Sequence, residues 1–459
     1  HKRGNFKPYI LKSIDRGKSW KSITGNIKDK EILWSLEQDH IDKDILFLGT
    51  EFGVLCSISG GNNWMKLKGG IPTIAVRDIK IQKRENDLIC GTFGRGFYIL
   101  DNYSPLRKIN ETELKNDFIL LPVKPVLQFN LMRVSGGGQG HTFYEGENPK
   151  YGATITYYLK ESLQSSKDLR KKKEKELAKG GKDVPFPGWD NIKKESREVA
   201  PKLILLITDH RGEVVRRIDA PAKKGLHRVN WDMRDSSQNP VRLKAPGSSG
   251  PFSYSWRYRR RGWDVMPGKY SVTAVKLVDG VQIPLPGKQE ISYAPISGKK
   301  FTDAETKGIH EFFDKYMKLD RDFSALSSVI EKMNEGLKYM KKALPETRKD
   351  NKNFLSDILV IEGKLKDISD ELRGDSTKRN RSEPAKPGIS SYFWDLGSKA
   401  GSILRPIRDY EKAKLAKITE MFTAVKNKVK VIRKDEFSKL IKQAKELGAP
   451  WIPGFGLNE

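Results

Sequence analysis

A short motif that ends in tryptophan occurs twice near the start of the chain. Residues 13–20 read S-I-D-R-G-K-S-W, and residues 57–64 read S-I-S-G-G-N-N-W. An aspartate or serine side chain in such a motif can hydrogen-bond to backbone amides two residues on, and glycine supplies a positive φ. Each copy is therefore predicted to form a hairpin corner, in which Asp15 is a turn residue. The residues predicted to build the two corners are Ser13, Asp15, Gly17, Trp20, Ser57, Gly61 and Trp64.

The residues around the motifs indicate a repeated β-sheet unit. Seven short β-prone runs, each bounded by turn residues, lie at 33–37, 45–50, 52–57, 64–67, 76–81, 88–92 and 96–100. The first four make one four-stranded unit, and the last three begin another. A repeat of this length and strand number is typical of a β-propeller blade. Residues 1–105 are therefore predicted to hold at most two and a half blades.

Further blocks of sequence follow in a defined order along the chain. They lie at 49–54, 70–78, 85–88, 91–96, 148–159, 231–234, 267–270 and 448–454. Together with the tryptophan motifs, these blocks resemble the C-terminal part of bacterial BNR/Asp-box repeat proteins with a sortilin-like propeller, often labelled glycosyl hydrolase or sialidase-like. Ser59 stands where that family favours aspartate, and Phe93 stands where histidine is common. Both departures lower the expectation of a functional polar site at these turns.

The resemblance implies that the chain is the C-terminal portion of a longer polypeptide. Propeller blades cannot bury their faces alone, so the missing N-terminal blades of the same polypeptide are expected partners. A sialidase takes its arginine cluster, its tyrosine-glutamate pair and its acid/base aspartate from several blades, most of which lie outside this sequence. The resemblance also implies an extracytoplasmic location (periplasmic, outer-surface or secreted), and no signal peptide is visible in this sequence.

The formal net charge of +28 favours association with polyanions at low salt. The basic residues are spread along the chain, and no nucleic-acid-binding motif accompanies them, so no specific nucleic-acid binding is expected. No run of apolar residues is long enough for a membrane span. The only cysteines, Cys56 and Cys90, lie in predicted strands of neighbouring units. A disulfide between them is geometrically possible, but two free buried thiols are favoured.

The rest of the chain changes from a strand pattern to a helical one. Residues 106–300 are predicted to form an immunoglobulin- or FlgD-like β-sandwich with Trp231 in its core, from strands at 153–159, 202–209, 213–218, 225–232 and 268–275. A charged insertion at about 160–198 is expected to be an exposed helix or a mobile loop. Residues 301–459 are predicted to form an α-helical hairpin or bundle, with helices at about 303–344, 353–372, 407–430 and 434–447 and a linker at about 374–390.

Aromatic residues alternate with arginines in 247–264, a pattern that can stack on sugar rings or pair with carboxylates. The alternative is that these aromatics cover the junction between propeller and sandwich. The candidate ligand or interface surface comprises Trp256, Arg257, Tyr258 and Arg259, with Arg77 and Arg95 at the propeller rim. No catalytic residue, metal site or cofactor is predicted, because the histidines are scattered and no G-x-S-x-G motif is present.

The sequence therefore predicts a multidomain protein, mainly β and then α. Its expected function is that of a non-catalytic secreted or envelope-associated binding protein, whose partner is a protein or a glycan. The alternative is a sialidase-like glycoside hydrolase whose catalytic residues lie in the missing N-terminal blades. A weaker alternative is a polyanion-binding protein driven by the positive charge.

Overall fold

The chain comprises two units, one built from β-sheets and one mostly from helices. The computed structural model describes residues 4–5, 7–129, 146, 148–236, 262–298, 300–400 and 405–450. The β unit consists of His1–Met233 with Pro267–Ala294, and the helical unit consists of Arg234–Met266 with Pro295–Glu459. The predicted multidomain fold, with sheets first and helices last, is confirmed.

Two antiparallel sheets follow each other between residues 33 and 100. Within each sheet, strands that are adjacent in sequence are also adjacent in space, because short turns join them. The first sheet contains β3 (Leu33–Gln38), β4 (Leu46–Thr50), β5 (Gly53–Ser57) and β6 (Met65–Lys66), and the second contains β7 (Val76–Gln82), β8 (Asp87–Thr92) and β9 (Phe97–Leu100). Two short strands, β1 (Leu11–Lys12) and β2 (Lys21–Ser22), flank the first tryptophan motif.

One apolar core joins these two sheets. Phe47 and Cys56 from the first sheet and Leu88 and Cys90 from the second belong to the same buried cluster. Both cysteines are free and buried. Burial raises the pKa of the Cys56 thiol to about 12 and that of the Cys90 thiol to about 11. At neutral pH the two thiols are therefore protonated, and they pack as small apolar side chains.

Eight strands between residues 118 and 295 form two further sheets. Trp231 is 1% exposed, and its ring contacts that of Tyr270 from the other sheet, with centroids 5.3 Å apart. Trp231 is therefore a core residue, as expected. One sheet has the order β10 (Phe118–Leu120), β12 (Ala153–Leu159), β15 (Gly225–Trp231), and the other has the order β11 (Val126–Gln128), β17 (Val281–Pro295), β16 (Gly268–Val278), β13 (Lys202–Thr208), β14 (Val214–Ala220).

The charged insertion between β12 and β13 forms two helices, α1 (Ser166–Lys179) and α2 (Trp189–Arg197). Helix α1 begins at a capping box, in which the Ser165 side chain accepts from the Asp168 amide and the Asp168 carboxylate accepts from the Ser165 amide. Of the two forms expected for this segment, the helical one is observed.

The helical unit is organised around one long helix, α3 (Asp303–Ala343), which begins at a capping box formed by Thr302 and Glu305. Its buried residues recur every three or four positions, as predicted. In the described part of the chain, no helix has the length and apolar character needed to cross a bilayer. The other helices are α4 (Phe354–Arg373), α5 (Ser376–Arg379), α6 (Ile389–Ala400), α7 (Asp409–Val431) and α8 (Ser438–Glu446), and a π-helical turn at Ile432–Phe437 joins the last two.

Helix α6 is not predicted by the sequence, which indicates a linker up to about residue 390 and no helix before 407. It is short, so packing against other helices is needed to stabilise it. The ring of Phe393 is fully buried and stacks on Tyr316 with centroids 4.1 Å apart. Such a long-range contact cannot be read from local sequence.

Candidate functional site

The two repeated sheets carry the same irregularity at the start of their first strand. On β3, Leu33 pairs with Thr50 and Ser35 pairs with Gly49, which leaves Trp34 as an extra residue in a β-bulge. On β7, Val76 pairs with Thr92 and Asp78 pairs with Gly91, which leaves Arg77 as the extra residue. A bulge redirects the side chain of its extra residue out of the regular alternation. Trp34 and Arg77 thus occupy equivalent positions of neighbouring repeats.

The turns that face these bulges are also equivalent. The Glu51 amide donates to the Ile32 carbonyl at 2.9 Å, and the Phe93 amide donates to the Ala75 carbonyl at 2.9 Å. Glu51 follows β4 directly, and Phe93 follows β8 in the same way. One backbone arrangement, used twice, therefore places four different side chains at the same edge of adjacent sheets.

These four side chains form a compact cluster, which we call the rim cluster: Trp34, Glu51, Arg77 and Phe93. The Arg77 guanidinium lies 3.5 Å from the ring centroid of Trp34 and 5.3 Å from that of Phe93. The Trp34 indole N–H donates to Glu51 Oε2 at 2.8 Å, and Arg77 Nη2 lies 3.9 Å from the same oxygen. Cation–π stacking and these polar contacts hold Arg77 in one orientation.

The rim cluster is open to solvent. Phe93 is 69% exposed and Trp34 is 43% exposed, although both are large apolar side chains. The cluster offers an apolar ring face, a guanidinium that donates hydrogen bonds and a carboxylate that accepts them. Such a set can bind a molecule that has both an apolar face and polar edges.

The sequence-predicted surface residues are only partly brought together. Arg77 is in the rim cluster, and Arg95 is exposed in the β8–β9 turn, two residues after Phe93. Trp256, Arg257, Tyr258 and Arg259 lie outside the described residues. Trp34 is not among the site residues that the sequence predicts, and Phe93 stands out in the sequence only as a departure from the Asp-box pattern. Alignment of the two repeats in the sequence would place Trp34 and Arg77 at the same position, and this equivalence is the signal that points to Trp34.

The tryptophan motifs form hairpin corners. In the first, the Ser19 amide and hydroxyl donate to the Asp15 carboxylate at 2.9 and 2.6 Å, and the Gly17 amide donates to Ser13 Oγ at 2.7 Å. The hydrogen bonds from Ser19 and Ser13 lower the pKa of Asp15 to about 2. In the second corner the Gly61 amide donates to Ser57 Oγ at 3.0 Å. These contacts give Asp15 a turn-forming role.

The second corner keeps its geometry without the aspartate. The Asn63 amide donates to Ser59 Oγ at 3.0 Å, which is the same link that the Ser19 amide makes to Asp15. A serine hydroxyl is one of the acceptors that can replace a carboxylate in such a turn. The second motif therefore forms the same corner as the first, although Ser59 lacks the negative charge of Asp15.

The two motif tryptophans have different surroundings. The Trp64 indole N–H donates to the Ile23 carbonyl at 3.0 Å, its backbone amide donates to the Asn26 side chain at 2.6 Å, and only 5% of the residue is exposed. The Trp20 indole N–H donates to the Gly17 carbonyl within its own turn at 3.1 Å, and 62% of Trp20 is exposed. The second corner thus packs against the segment that follows the first.

A second polar cluster, which the sequence does not predict, lies inside the β unit. The Arg107 guanidinium donates to both carboxylate oxygens of Asp39 at 2.7 Å and to the Asn86 side chain at 2.6 Å, while the Tyr103 hydroxyl donates to Asp39 at 2.5 Å. Burial alone would raise the pKa of Asp39, but the hydrogen bonds from Arg107 and Tyr103 hold it well below its usual range. Because Asp39 is buried and fully paired, this cluster stabilises the sheets.

Among the described residues, no group of three or more histidine, cysteine, aspartate or glutamate side chains is arranged to hold a metal ion. No family model matches the chain, and no curated protein matches it.

Two solved structures from B. thetaiotaomicron are similar to part of the chain. They are described as the extracellular domains of a one-component system and of a hybrid two-component system. Each is 12% identical with a TM-score of 0.16, and the match covers 61% of this chain but only 28% and 27% of those chains. The chain thus spans less than a third of the length of these structures. A likeness at this TM-score carries no argument about fold or function.

Proposed function

We propose that the protein is a non-catalytic, secreted or envelope-associated binding protein, and that the rim cluster is its ligand-binding surface. The observation that carries this proposal is the placement of Arg77 between Trp34 and the exposed ring of Phe93, beside the Glu51 carboxylate. Exposed aromatic rings whose position is held by stacking and hydrogen bonds lose little entropy when a ligand binds.

The ligand class that fits this set is a glycan. A sugar ring has an apolar face that can cover the Phe93 ring, and its edges carry hydroxyls that pair with a guanidinium and a carboxylate. Arg77 and Glu51 partly neutralise each other, which favours a ligand with hydroxyl groups over a bare anion. The competing ligand class is a protein partner at the same surface, and the absence of binding to any glycan would favour it.

The architecture proposed for the β unit follows the Asp-box resemblance. The sheets β3–β6 and β7–β9 would be the last blades of a sortilin-like propeller, and the sheets from β10 to β17 would be an immunoglobulin- or FlgD-like sandwich. Two features support this proposal: the bulge and turn recur in both repeats, and the second corner packs on the preceding repeat through Trp64. The extracytoplasmic location rests on the same resemblance.

The experiment is a glycan array combined with an assay for released sugar. We expect retention of one glycan class without any product, and Phe93→Ala and Arg77→Gln should each weaken binding by about tenfold, the effect of losing one well-placed aromatic or charged contact. The matched controls are Phe97→Ala, an equally exposed phenylalanine on β9, and Arg95→Gln, which removes the same charge.

Other results would contradict the proposal in distinct ways. Released sugar would support the alternative function, that of a sialidase-like glycoside hydrolase. Binding that is abolished by moderate salt, whichever sugar is presented, would support the polyanion-binding protein. Equal losses in Arg77→Gln and Arg95→Gln would exclude the rim cluster as the specific site.

A further inference from the structure

The hairpin formed by α1 and α2 is closed by ion pairs along one seam. Arg170 donates to both Glu195 oxygens at 2.6 and 2.7 Å and to Glu174 at 2.6 Å, which joins the two helices. At the base, the Ser166 amide donates to the Glu198 carboxylate at 2.8 Å. The hairpin therefore has a defined shape, and its connecting loop at 180–188 forms a tip.

The tip exposes large apolar side chains to solvent. Phe186 is 62% exposed and Trp189 is 69% exposed, and the two rings meet edge to face with centroids 5.2 Å apart. Val184 in the same loop is 44% exposed. The Asn191 side chain donates to the Pro187 carbonyl at 2.7 Å, which ties this loop to α2. The apolar side chains are therefore presented together on one ordered turn.

Lysines flank this apolar tip in the sequence. Residues 179–194 contain four lysines and two aspartates. Further lysines on α1 are exposed and form no ion pair with any described residue; these are Lys171, Lys172, Lys173 and Lys175. Unlike Arg170, they are not used to close the hairpin. Helix α1 thus carries several exposed lysines outside these ion pairs, in the same hairpin as the exposed aromatic rings.

We propose that this hairpin docks onto an anionic lipid bilayer surface, with Phe186 and Trp189 entering the headgroup region and the α1 lysines contacting the headgroups. Tryptophan and phenylalanine favour the membrane interface, and each lysine near an anionic surface adds to the attraction. A protein interface fits less well, because lysines are depleted there and a single exposed turn is far smaller than a stable protein-protein contact. This inference does not depend on the proposed glycan-binding function.

The test is co-sedimentation of the full chain with vesicles. We expect binding to vesicles of phosphatidylglycerol mixed with phosphatidylcholine, weak binding to phosphatidylcholine alone, and loss of most binding at about 0.5 M sodium chloride. Phe186→Ser with Trp189→Ser should lower the partition coefficient by about tenfold or more, because two interfacial anchors are removed. Both residues are exposed, so the unfolding temperature should not change.

Charge and aromatic character are separated by matched controls. A triple change of Lys171, Lys172 and Lys173 to glutamine should weaken binding by at least about tenfold, whereas the same change at the exposed α8 lysines Lys439, Lys442 and Lys445 should have a much smaller effect. Phe97→Ser controls for loss of an exposed aromatic elsewhere. Unchanged binding of the Phe186/Trp189 variant, equal effects of the two lysine triples, or no binding to anionic vesicles would each overturn the proposal.

Discussion

The carboxylate of Asp39 shows how a single buried charge can stabilise a sheet protein. Its side chain is completely buried, and the cost of removing it from water is offset by hydrogen bonds from Arg107, Tyr103 and the backbone amides of Asp42 and Ile41. These partners lie in the β3–β4 turn and in the segment after β9. One carboxylate therefore connects the two repeated sheets.

Asp39→Asn should lower the free energy of unfolding by about 3 kcal/mol at neutral pH, because it leaves Arg107, whose side chain is only 13% exposed, without its counter-charge. The folded-state pKa of Asp39 is depressed, so its contribution is present above the unfolded pKa of about 4 and is lost as the pH falls through the folded-state pKa. Denaturant unfolding at pH 7 and near pH 2 should show the difference between wild type and variant shrinking in acid. The exposed Asp29→Asn is the control, and an equal effect of the two changes would contradict this account.

At the scale of the strand, the rim cluster depends on how closely β4 approaches β7. Gly49 lies where an added Cβ would be 2.5 Å from the Val76 carbonyl oxygen and 2.7 Å from Ser35 Oγ. At Gly91, the equivalent position of the next repeat, the nearest atom would be 3.6 Å away. The Gly49 site therefore has no room for a side chain, whereas Gly91 has room for a methyl group.

Gly49→Ala is expected to lower the free energy of unfolding by about 1–3 kcal/mol, the usual cost of overpacking, and to displace the Arg77 bulge. Gly91→Ala should change stability by less than about 1 kcal/mol, because its new methyl group makes ordinary contacts. Thermal unfolding measures the loss of stability in both variants. Glycan binding reports whether the Arg77 bulge is displaced in Gly49→Ala. If Gly91→Ala lowers stability as much as Gly49→Ala does, the close approach of β4 to β7 does not explain the loss of stability in Gly49→Ala.

The elements that the sequence predicts well are those with a strong local pattern. The strands of both repeats follow from β-prone runs between turn residues, and α3 follows from its apolar spacing. The rim cluster is different, because the bulge at Trp34 exists only in the pairing of β3 with β4. A register shift depends on the partner strand, so local sequence places Arg77 near a strand end but does not place it against Trp34.

At the scale of the whole molecule, the helical unit and the two repeated sheets each have an apolar core of their own. The core of the helical unit is built on α3, α4, α6, α7 and α8, and it shares no residue with the core around Phe47 and Cys90. Units with separate cores can unfold separately, so calorimetry of the full chain should resolve two transitions.

Single substitutions can assign those transitions. Phe393→Ala should lower the stability of the helical unit by about 3–5 kcal/mol, because Phe393 is fully buried and stacks on Tyr316 and Phe323. Asp39→Asn should lower only the other transition, since Asp39 lies in the β unit. If calorimetry instead shows a single transition that both substitutions lower, the two units unfold together rather than separately.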